Sequence, residues 1–571
     1  MLFTGAAFAV YLVFVIFLAV PLGHYIEWVM RGGRLPVLSG LEQRLYGLLG
    51  LEGTEELTAC GYLQRVLLFS LAGFLLLLLL LLAQGALPLN PQGAAGLSLP
   101  LALNTAVSFV TNTNWQAYRG EQQLSYFTQA MGLTVQNFLS AGTGLAVCFA
   151  FLRGFTRKET GTVGSFFVDL VRAVLYVLLP LSCILALLLA AFGAVQSFAP
   201  YVLAQLLEPQ GDVLQQLIPL GPAASQTAIQ LLGTNGGGFF GANTAHPFVN
   251  PTPLTNFLEM TAILLLPAAL CFSFGKAIRN RRQGRVIFAA MLTVLVASLS
   301  GLFLAEQYGI PQLRQADFIA PLEAQLPAGN LEGKDVRFGL ADSALWTAIT
   351  TASSNGSANS SLESYTPAGT MLALLNMQLG SVIFGGIGSG LYSMLAFALL
   401  TVFITGLLVG RTPEFLGKKI GPQEMKLAVV ICLAPTAAIL GGCAFAAVWP
   451  GVSSLLAAAG PHGFTELLYA YTSAGANNGS AMAGLQADHA VFHFSLALVM
   501  LIGRFVPLAA VLLLAGRLAQ KPQAAASAGS LRTDTVLFGG LLLAVILLVG
   551  VLSFLPALAL GPAAEFLRMA S

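Results

Sequence analysis

The chain has 571 residues, of which 56% are hydrophobic and only 9% are charged, and its formal net charge is +2. Soluble domains carry about 25% charged residues, so this composition excludes a soluble globular protein and indicates an integral membrane chain. The small net charge gives no indication of a nucleic-acid partner.

Ten apolar runs are long enough to cross a hydrocarbon core of about 30 Å. In chain order they lie near residues 5–28, 66–88, 128–152, 166–194, 254–275, 286–305, 371–409, 427–449, 491–516 and 535–558. The first lacks a basic leader and a small-residue cleavage site, so we interpret it as a retained span rather than a signal peptide.

Four short polar stretches interrupt the apolar chain at matching places between these runs. They read VTNTNWQ at Val110–Gln116, GTNGGGFF at Gly233–Phe240, TASSNGSAN at Thr351–Asn359 and SAGANNGSA at Ser473–Ala481. Each follows a lead-in that can form two or three helical turns. Aligning the lead-ins places Thr105, Thr227, Thr347 and Tyr469 in one column, about 122, 120 and 122 residues apart, and stacks Thr113, Asn235, Asn355 and Asn477. A fixed period of this kind predicts an internal repeat.

The sequence therefore predicts an all-α integral membrane protein with ten transmembrane helices. Four pseudo-symmetric units of helix, pore loop and helix are flanked by one extra helix at each end. The expected boundaries are 1–62 for the extra first span with its loop, 63–158, 159–282, 283–420 and 421–520 for repeats 1 to 4, and 521–571 for the extra last span. Units with two crossings share one orientation, so their four loops can meet at one axis.

Orientation follows from the basic residues. Nineteen of the 26 Lys and Arg residues lie in loops on the side away from the polar stretches, most densely at Lys276, Arg279, Arg281, Arg282 and Arg285. The positive-inside rule assigns that side to the cytoplasm. We therefore expect the polar loops and both chain ends to be extracytoplasmic.

The composition of the four loops predicts an ion filter. Irregular backbone at membrane depth is tolerated only where it is buried in protein or lines a watery cavity. Backbone carbonyls can replace the water around an ion when glycine permits the required turns, here at Gly233, Gly236, Gly237, Gly238, Gly356, Gly475 and Gly479. The rings hold Thr, Asn and Ser but no charged residue, which favours a monovalent cation over a divalent one.

Two further features indicate a transport path. The run 371–409 is about twice as long as one span needs, and its middle reads GSVIFGGIGSG from Gly380 to Gly390. These glycines predict either an interrupted helix beneath the third loop or a glycine face for close helix packing. Arg504 lies within a span, where an arginine is costly and marks either a barrier to cations or an acidic or carbonyl partner.

Other chemistry has less support. His489 and His493 stand four residues apart and could hold a metal on one helix face, but no third ligand is evident. The six cysteines are scattered without a CxxC pair and are interpreted as core residues. No GxxxxGK[ST] phosphate loop occurs, so we do not expect the chain to hydrolyse a nucleotide.

Longer motifs resemble one known family. VTNTNWQAY, LSYFTQAMGLTVQNFLSA, GTNGGGFFGAN with HPFVNPTPLTNF, VIFGGIGSGLYSML and NNGSAMAGL together resemble KdpA, the potassium-binding subunit of the bacterial Kdp potassium-transporting ATPase. The resemblance implies K⁺ as the transported ion, selected from the extracytoplasmic side of the bacterial cytoplasmic (inner) membrane. It also implies a KdpB-like P-type ATPase subunit that uses ATP and Mg²⁺, small KdpC-like and KdpF-like subunits, and no organic cofactor in this chain.

The resemblance assigns roles residue by residue. The interrupted helix, with Gly380, Gly385, Gly386, Gly388 and Gly390, resembles the family's gating element, beside which ions pass sideways to the ATPase subunit. Gln116 and Arg504 match residues beside the filter and below it. The matching filter residues are Thr111, Asn112, Thr113, Asn114, Gly233, Thr234, Asn235, Gly236, Ser353, Ser354, Asn355, Gly356, Gly475, Ala476, Asn477 and Asn478.

The chain departs from the family pattern at two places. The third loop, SSNGSAN, is more polar, and Arg119 adds a charge near the outer mouth. The nearest alternative is a stand-alone K⁺ channel or symporter subunit of the Trk/Ktr kind, which shares the four-loop layout but lacks the terminal spans. An intramembrane metal enzyme resting on His489 and His493, and a purely structural scaffold, are further alternatives.

Overall fold

The computed structural model describes residues 2–210, 213–309, 329–410, 412–523 and 531–570. Arg314 and Arg411, two of the basic residues counted by sequence, lie outside these ranges. Within the described ranges ten helices are long and apolar enough to cross a membrane, so the predicted number of spans is confirmed. In chain order spans 1 to 10 are Thr4–Met30, Ala59–Ala86, Thr128–Thr156, Phe166–Ala191, Pro253–Ala277, Arg281–Tyr308, Ser389–Val409, Pro422–Val448, Ala490–Gln520 and Val536–Leu560.

Four shorter helices lie between the spans and precede the polar loops. These pore helices 1 to 4 are Leu99–Val110, Ala223–Leu232, Gly339–Ala352 and Pro461–Gly475. At 1.5 Å per residue none can cross a bilayer, and most of their residues are buried in protein. Each stands between an even-numbered span and the next odd-numbered one, which produces four span, pore helix and span units with an additional span at either end.

The long apolar run 371–409 forms two helices rather than one. Pro367–Gln378 ends before the glycine-rich segment, and span 7 begins only at Ser389. Gly380, Gly385 and Gly388 have φ values of +87°, +63° and +80°, a region that α-helices of L-residues do not use. The predicted interruption is therefore present, and span 7 consists of the second helix alone.

The remaining elements are short. Helices Pro36–Leu49, Gly120–Gln123 and Pro562–Ala570 lie outside the spans, and π-helical turns Thr128–Thr134 and Ala173–Leu178 lie inside spans 3 and 4. Strand pairs join Leu57–Thr58 to Thr162–Gly164 and Glu414–Phe415 to Lys418–Lys419. A hairpin of Val202–Gln210 and Val213–Ile218, which sequence reasoning did not predict, precedes pore helix 2.

Burial distinguishes central spans from peripheral ones. Within the apolar stretches of spans 3 and 5, 83% and 78% of the residues are buried, whereas in spans 1, 2 and 10 the share is 17%, 22% and 28%. Spans 3 and 5 carry Ser, Thr, Asn and Gly among their buried residues and face the pore helices. The peripheral spans present Leu, Val and Phe outward, as a lipid-facing surface requires.

The basic loops meet on the face opposite the pore loops. One cleft there is lined by Arg31, Arg157 and Arg279, which come from the loops after spans 1, 3 and 5. Lys418 is buried nearby and donates to the carbonyl oxygens of Arg157, at 2.6 Å, and Leu518, at the ends of spans 3 and 9. Burial first, and then the positive charges of Lys158 and Lys521, lower the pKa of Lys418 to about 8.

We expect Asp169→Ala to destabilise this face strongly. Arg153 of span 3 binds both carboxylate oxygens of Asp169 in span 4 at 2.6 Å, and the Tyr62 hydroxyl of span 2 donates to the same carboxylate at 3.0 Å. Removing one partner of a buried pair leaves an unbalanced charge and costs about 3–5 kcal/mol. Thermal unfolding of the purified protein in detergent measures the loss.

The matched control is Asp534→Ala, whose partner Arg532 is 72% exposed. Because exposed ion pairs contribute about 0–1 kcal/mol, that variant should unfold near the wild-type temperature. Equal melting temperatures for the two variants would contradict the role assigned to Asp169.

Candidate functional site

Each pore helix ends in the same tight turn. The third residue after the helix donates its backbone N–H to a carbonyl five residues earlier, inside the helix. The four bonds are Thr113 to Ser108 at 2.9 Å, Asn235 to Gln230 at 2.8 Å, Asn355 to Thr350 at 3.1 Å and Asn478 to Ser473 at 2.8 Å. The repeat seen in the sequence is therefore a repeat of backbone hydrogen bonding, and it defines four filter segments.

This pairing corrects the sequence register in the fourth repeat. The sequence alignment stacks Asn477 with Thr113, whereas the structure places Asn478 there, because pore helix 4 continues to Gly475. By position, the segment that corresponds to Thr111–Asn114, Gly233–Gly236 and Ser353–Gly356 is therefore Ala476–Gly479. Gly475 is the last helical residue, and Gly479, left out of the predicted filter set, takes the fourth position.

The backbone of the segments is strained in a regular way. Asn112, Thr234, Ser354 and Asn477, which are the second residues of the four segments, have φ values of 67°, 49°, 51° and 51°. A left-handed conformation costs roughly 1–2 kcal/mol for a residue other than glycine. Such strain persists where the surrounding structure enforces it, as at functional sites. In segments 1, 3 and 4 a second residue with positive φ follows two positions later. The backbone of these segments therefore alternates between right-handed and left-handed conformations.

The four segments converge on one point. A Cβ atom added to Gly236 would lie 2.4 Å from the carbonyl oxygen of Thr113 and 2.6 Å from that of Asn478. One added to Gly356 would lie 2.1 Å from the Asn478 oxygen, and one added to Gly479 would lie 2.0 Å from the Thr113 oxygen. Glycine is required because the backbones of all four segments approach more closely than any side chain allows.

Side-chain amides join neighbouring segments into a closed ring. Asn112 donates to the carbonyl of Thr234 at 2.9 Å, and Asn355 donates to that of Asn235 at 3.2 Å. The ring is completed by Asn478, which donates to the Thr350 carbonyl at 2.9 Å, and by Asn477, which donates to the Thr113 hydroxyl at 2.9 Å. Every junction between adjacent repeats therefore has a buried hydrogen bond that fixes the spacing of the carbonyl oxygens.

The interrupted helix lies directly beneath the ring. The Ile387 N–H donates to the Thr234 hydroxyl at 2.8 Å, the Gly385 N–H donates to the Ala352 carbonyl at 3.1 Å, and the Ser354 hydroxyl donates to that of Ser381 at 3.2 Å. A cavity beside this loop is lined by residues of segments 1, 3 and 4 together with Gln378, Ser389 and Arg504. The glycine-rich backbone beneath the ring thus borders a cavity whose lining mixes apolar residues with polar side chains and Arg504.

Arg504 and Gln116 flank the ring at different places. Arg504 is buried, and its guanidinium donates to the Ser140 carbonyl at 3.3 Å; the Ser140 hydroxyl in turn donates to Asn112 at 2.8 Å. The intramembrane arginine therefore has a carbonyl of span 3 as its partner. Ser140 contacts both Arg504 and Asn112, so it links the arginine to segment 1. Gln116 donates to the Gly238 carbonyl at 2.8 Å and joins the loops that follow segments 1 and 2.

In the part of the chain that the structure describes, the two histidines considered as metal ligands do not belong to a converging group of three or more His, Cys, Asp or Glu side chains. His493 is buried and its Nε2 lies 2.9 Å from Asp488, while the His489 ring caps the start of span 9. Among the described residues, the only group of three or more His, Cys, Asp or Glu side chains with converging ligand atoms is Glu363, His462 and Glu466. Sequence reasoning missed that group, although His462 and Glu466 stand four residues apart on one helix.

Comparison with known proteins agrees with this architecture. The family described as KdpA, potassium-transporting ATPase A subunit, matches residues 9–567. Two relatives are each named potassium-transporting ATPase potassium-binding subunit. The one from Clostridium perfringens is 53% identical over 98% of both chains, and the one from Listeria welshimeri is 52% identical over 97% of both chains.

A distant solved neighbour is the potassium transporter TrkH from Vibrio parahaemolyticus. It has a TM-score of 0.48 and 16% identity, and the match covers 77% of this chain and 84% of that chain. The TM-score and the identity are too low to assign a function. The family match and the two relatives, by contrast, cover nearly the whole sequence at about half identity. The chain therefore belongs to the KdpA family of potassium-transporting ATPase A subunits.

Proposed function

We propose that this chain is the ion-selecting subunit of an ATP-driven K⁺ uptake complex. Partly dehydrated K⁺ binds at the ring formed by Thr111–Asn114, Gly233–Gly236, Ser353–Gly356 and Ala476–Gly479. The observation that carries the proposal is the close approach of four uncharged backbone segments, in which the carbonyl oxygens of Thr113 and Asn478 lie against the glycines of segments 2, 3 and 4. The names of the relatives, which specify potassium binding, support the identity of the ion.

The chemistry of the ring suits K⁺. Neutral carbonyl and hydroxyl oxygens replace a hydration shell without the strong field of carboxylates, so a monovalent ion can bind and also leave. Pore helices 1 to 4 end at the ring, and their partial negative charge adds cation attraction of roughly half an elementary charge each. Arg504 is buried and is linked to segment 1 through Ser140. Its positive charge hinders cations from leaking through the protein.

Family membership and topology support the following assembly. ATP with Mg²⁺ is used by a KdpB-like P-type subunit, and KdpC-like and KdpF-like subunits complete the complex. The interrupted helix gates passage from the filter sideways to the ATPase subunit. In the bacterial cytoplasmic (inner) membrane the basic cleft with Arg31, Arg157 and Arg279 faces the cytoplasm, so the filter mouth and both termini are extracytoplasmic.

Potassium-stimulated ATP hydrolysis by the purified complex tests this function. K⁺ should stimulate hydrolysis and Na⁺ should not. In Asn355→Ala the concentration of K⁺ for half-maximal stimulation should rise about tenfold, because the amide's bonds to the Gln230 and Asn235 carbonyls contribute roughly 1–2 kcal/mol together.

Asn90→Ala is the control, since Asn90 also bonds backbone groups, at Ala94, but lies in a loop before pore helix 1. It should respond to K⁺ as the wild type does. A wild-type complex that K⁺ does not stimulate would overturn the proposed function.

A further inference from the structure

A cluster of ionisable side chains lies on the filter side of the protein, outside the filter itself. His462 and Glu466 stand one turn apart at the start of pore helix 4, Glu363 follows segment 3, and Glu565 belongs to the C-terminal helix Pro562–Ala570. Three separate parts of the chain thus bring three carboxylates to one imidazole. Neither ion selection nor the gate uses any of these side chains.

The ligand atoms of three of them lie close to one another. His462 Nε2 lies 2.7 Å from Glu363 Oε1 and 4.0 Å from Glu466 Oε1, and all three atoms lie within 4.8 Å of one another. Ligands of a single tetrahedral Zn²⁺ ion, bonded at about 2.0–2.2 Å, lie about 3.4 Å apart. A displacement of the ligand atoms by about an ångström, through side-chain rotation, therefore converts the present spacing into a coordination shell.

The other atom of each side chain is already held. Glu363 Oε2 accepts from the Gly484 N–H at 2.9 Å, and Glu466 Oε2 accepts from the Ala457 N–H at 3.0 Å. His462 Nδ1 lies 2.8 Å from Glu565 Oε1. This is the arrangement of metal sites, in which outer hydrogen bonds orient each ligand and a carboxylate fixes the histidine tautomer.

Glu466 supplies a second, independent observation. Its side chain is fully buried, and its Oε1, the atom aimed into the cluster, has no hydrogen-bond partner among the described residues. A buried carboxylate oxygen without a partner is costly unless a proton or a cation satisfies it.

We propose that Glu363, His462 and Glu466 bind a divalent transition-metal ion of the Zn²⁺ class. The ligands are His462 Nε2 and one oxygen from each glutamate, and Glu565 orients the imidazole through Nδ1–H. Imidazole nitrogen and carboxylate oxygen are both Zn²⁺ ligands, whereas Mg²⁺ and Ca²⁺ prefer oxygen ligands alone. His462, Glu363 and Glu565 are 26%, 23% and 15% exposed, so an ion has access from solvent.

The ion would tie together the segment after filter segment 3, the start of pore helix 4 and the C-terminal helix. This inference goes beyond the proposed K⁺ function and does not depend on it. It predicts a site on the filter side whose occupancy stabilises the outer rim between repeats 3 and 4, because an ion that binds only the folded state stabilises that state.

Zinc titration of the purified, chelator-washed complex tests the inference, with a chromogenic chelator as competitor. The wild type should bind one Zn²⁺ per chain at this site. His462→Asn, which removes a ligand, should weaken binding by more than about 100-fold, and Glu565→Gln, which keeps a hydrogen-bonding group beside Nδ1, by about tenfold. X-ray absorption of the zinc complex should show one nitrogen and at least two oxygen ligands.

His489→Asn is the matched control, because it removes a histidine from the same face of the protein and leaves the cluster intact. It should bind Zn²⁺ as the wild type does. Thermal unfolding in detergent checks that each variant is folded. Equal zinc affinity in His462→Asn and the wild type, or no binding by the wild type, would overturn the inference, whereas loss of K⁺ stimulation alone would overturn only the proposed function.

Discussion

Gly236→Asp should abolish high-affinity K⁺ stimulation of the complex. A Cβ at this position would lie 2.4 Å from the Thr113 carbonyl oxygen and 2.6 Å from that of Asn478, so segments 1 and 4 must move away from the axis. If both carbonyls lose their contact with the ion, at roughly 1.5 kcal/mol each, half-maximal K⁺ rises by about 100-fold. The added carboxylate also favours divalent ions, so discrimination against other cations falls.

Stimulation curves with K⁺, Rb⁺ and Na⁺ measure both effects. Gly161→Asp is the control, because it adds the same carboxylate to the exposed loop between spans 3 and 4, where a Cβ meets nothing within 4 Å and φ is outside the left-handed region. Its half-maximal K⁺ should stay near that of the wild type. If Gly236→Asp kept the wild-type affinity and ion preference, the four segments would not form the K⁺ site.

Gly388→Ala should slow transport strongly while leaving K⁺ binding largely intact. Gly388 has φ +80°, and a Cβ there would lie 2.2 Å from the Gly144 carbonyl oxygen of span 3. Alanine therefore clashes with span 3, and its left-handed backbone conformation costs roughly a further 1–2 kcal/mol. Because of both effects, the loop cannot keep its position between span 3 and the four segments. We expect K⁺ uptake into proteoliposomes to fall about tenfold or more, since a barrier higher by 1.4 kcal/mol is tenfold in rate.

Gly386→Ala provides the comparison within the same loop. Its Cβ would come close to the Ser389 hydroxyl, at 2.7 Å, which can rotate away, while Thr234 and Ser354 would lie at ordinary van der Waals distances of 3.5 and 3.8 Å. That variant should keep most of the uptake rate. If K⁺ affinity and uptake fell in parallel in Gly388→Ala, the loop would be part of the binding site instead of a gate.

The polar loops were predictable because their composition is a local property. Asn, Ser, Thr and Gly clusters between apolar runs stand out at a regular period, and the structure turns each of them into the same hydrogen-bonded turn. The register of the fourth loop was wrong by one residue. Asn477 and Asn478 have the same side chain, so composition could not show that pore helix 4 runs to Gly475 and that Asn478 makes the capping bond.

The interrupted helix was predicted only in part. Its glycines at 380, 385 and 388 indicated a break, because they allow backbone conformations that end a helix. That Ile387 would then donate to the Thr234 hydroxyl could not be read from the sequence, because the two residues are 153 positions apart. Likewise Arg504 was recognised as a costly intramembrane charge, but its carbonyl partner at Ser140 lies in another repeat.

By itself the sequence determined the membrane class, the ten crossings, the fourfold repeat and the face that carries the basic residues. Hydropathy, span length and charge are properties of contiguous segments, so each can be recognised in the sequence without the three-dimensional structure. Only the tertiary structure decided which backbone groups meet where the four segments converge and which carboxylates surround His462. Those atoms are brought together by packing among helices distant in sequence, and the choice among such packings depends on contacts that no single segment contains.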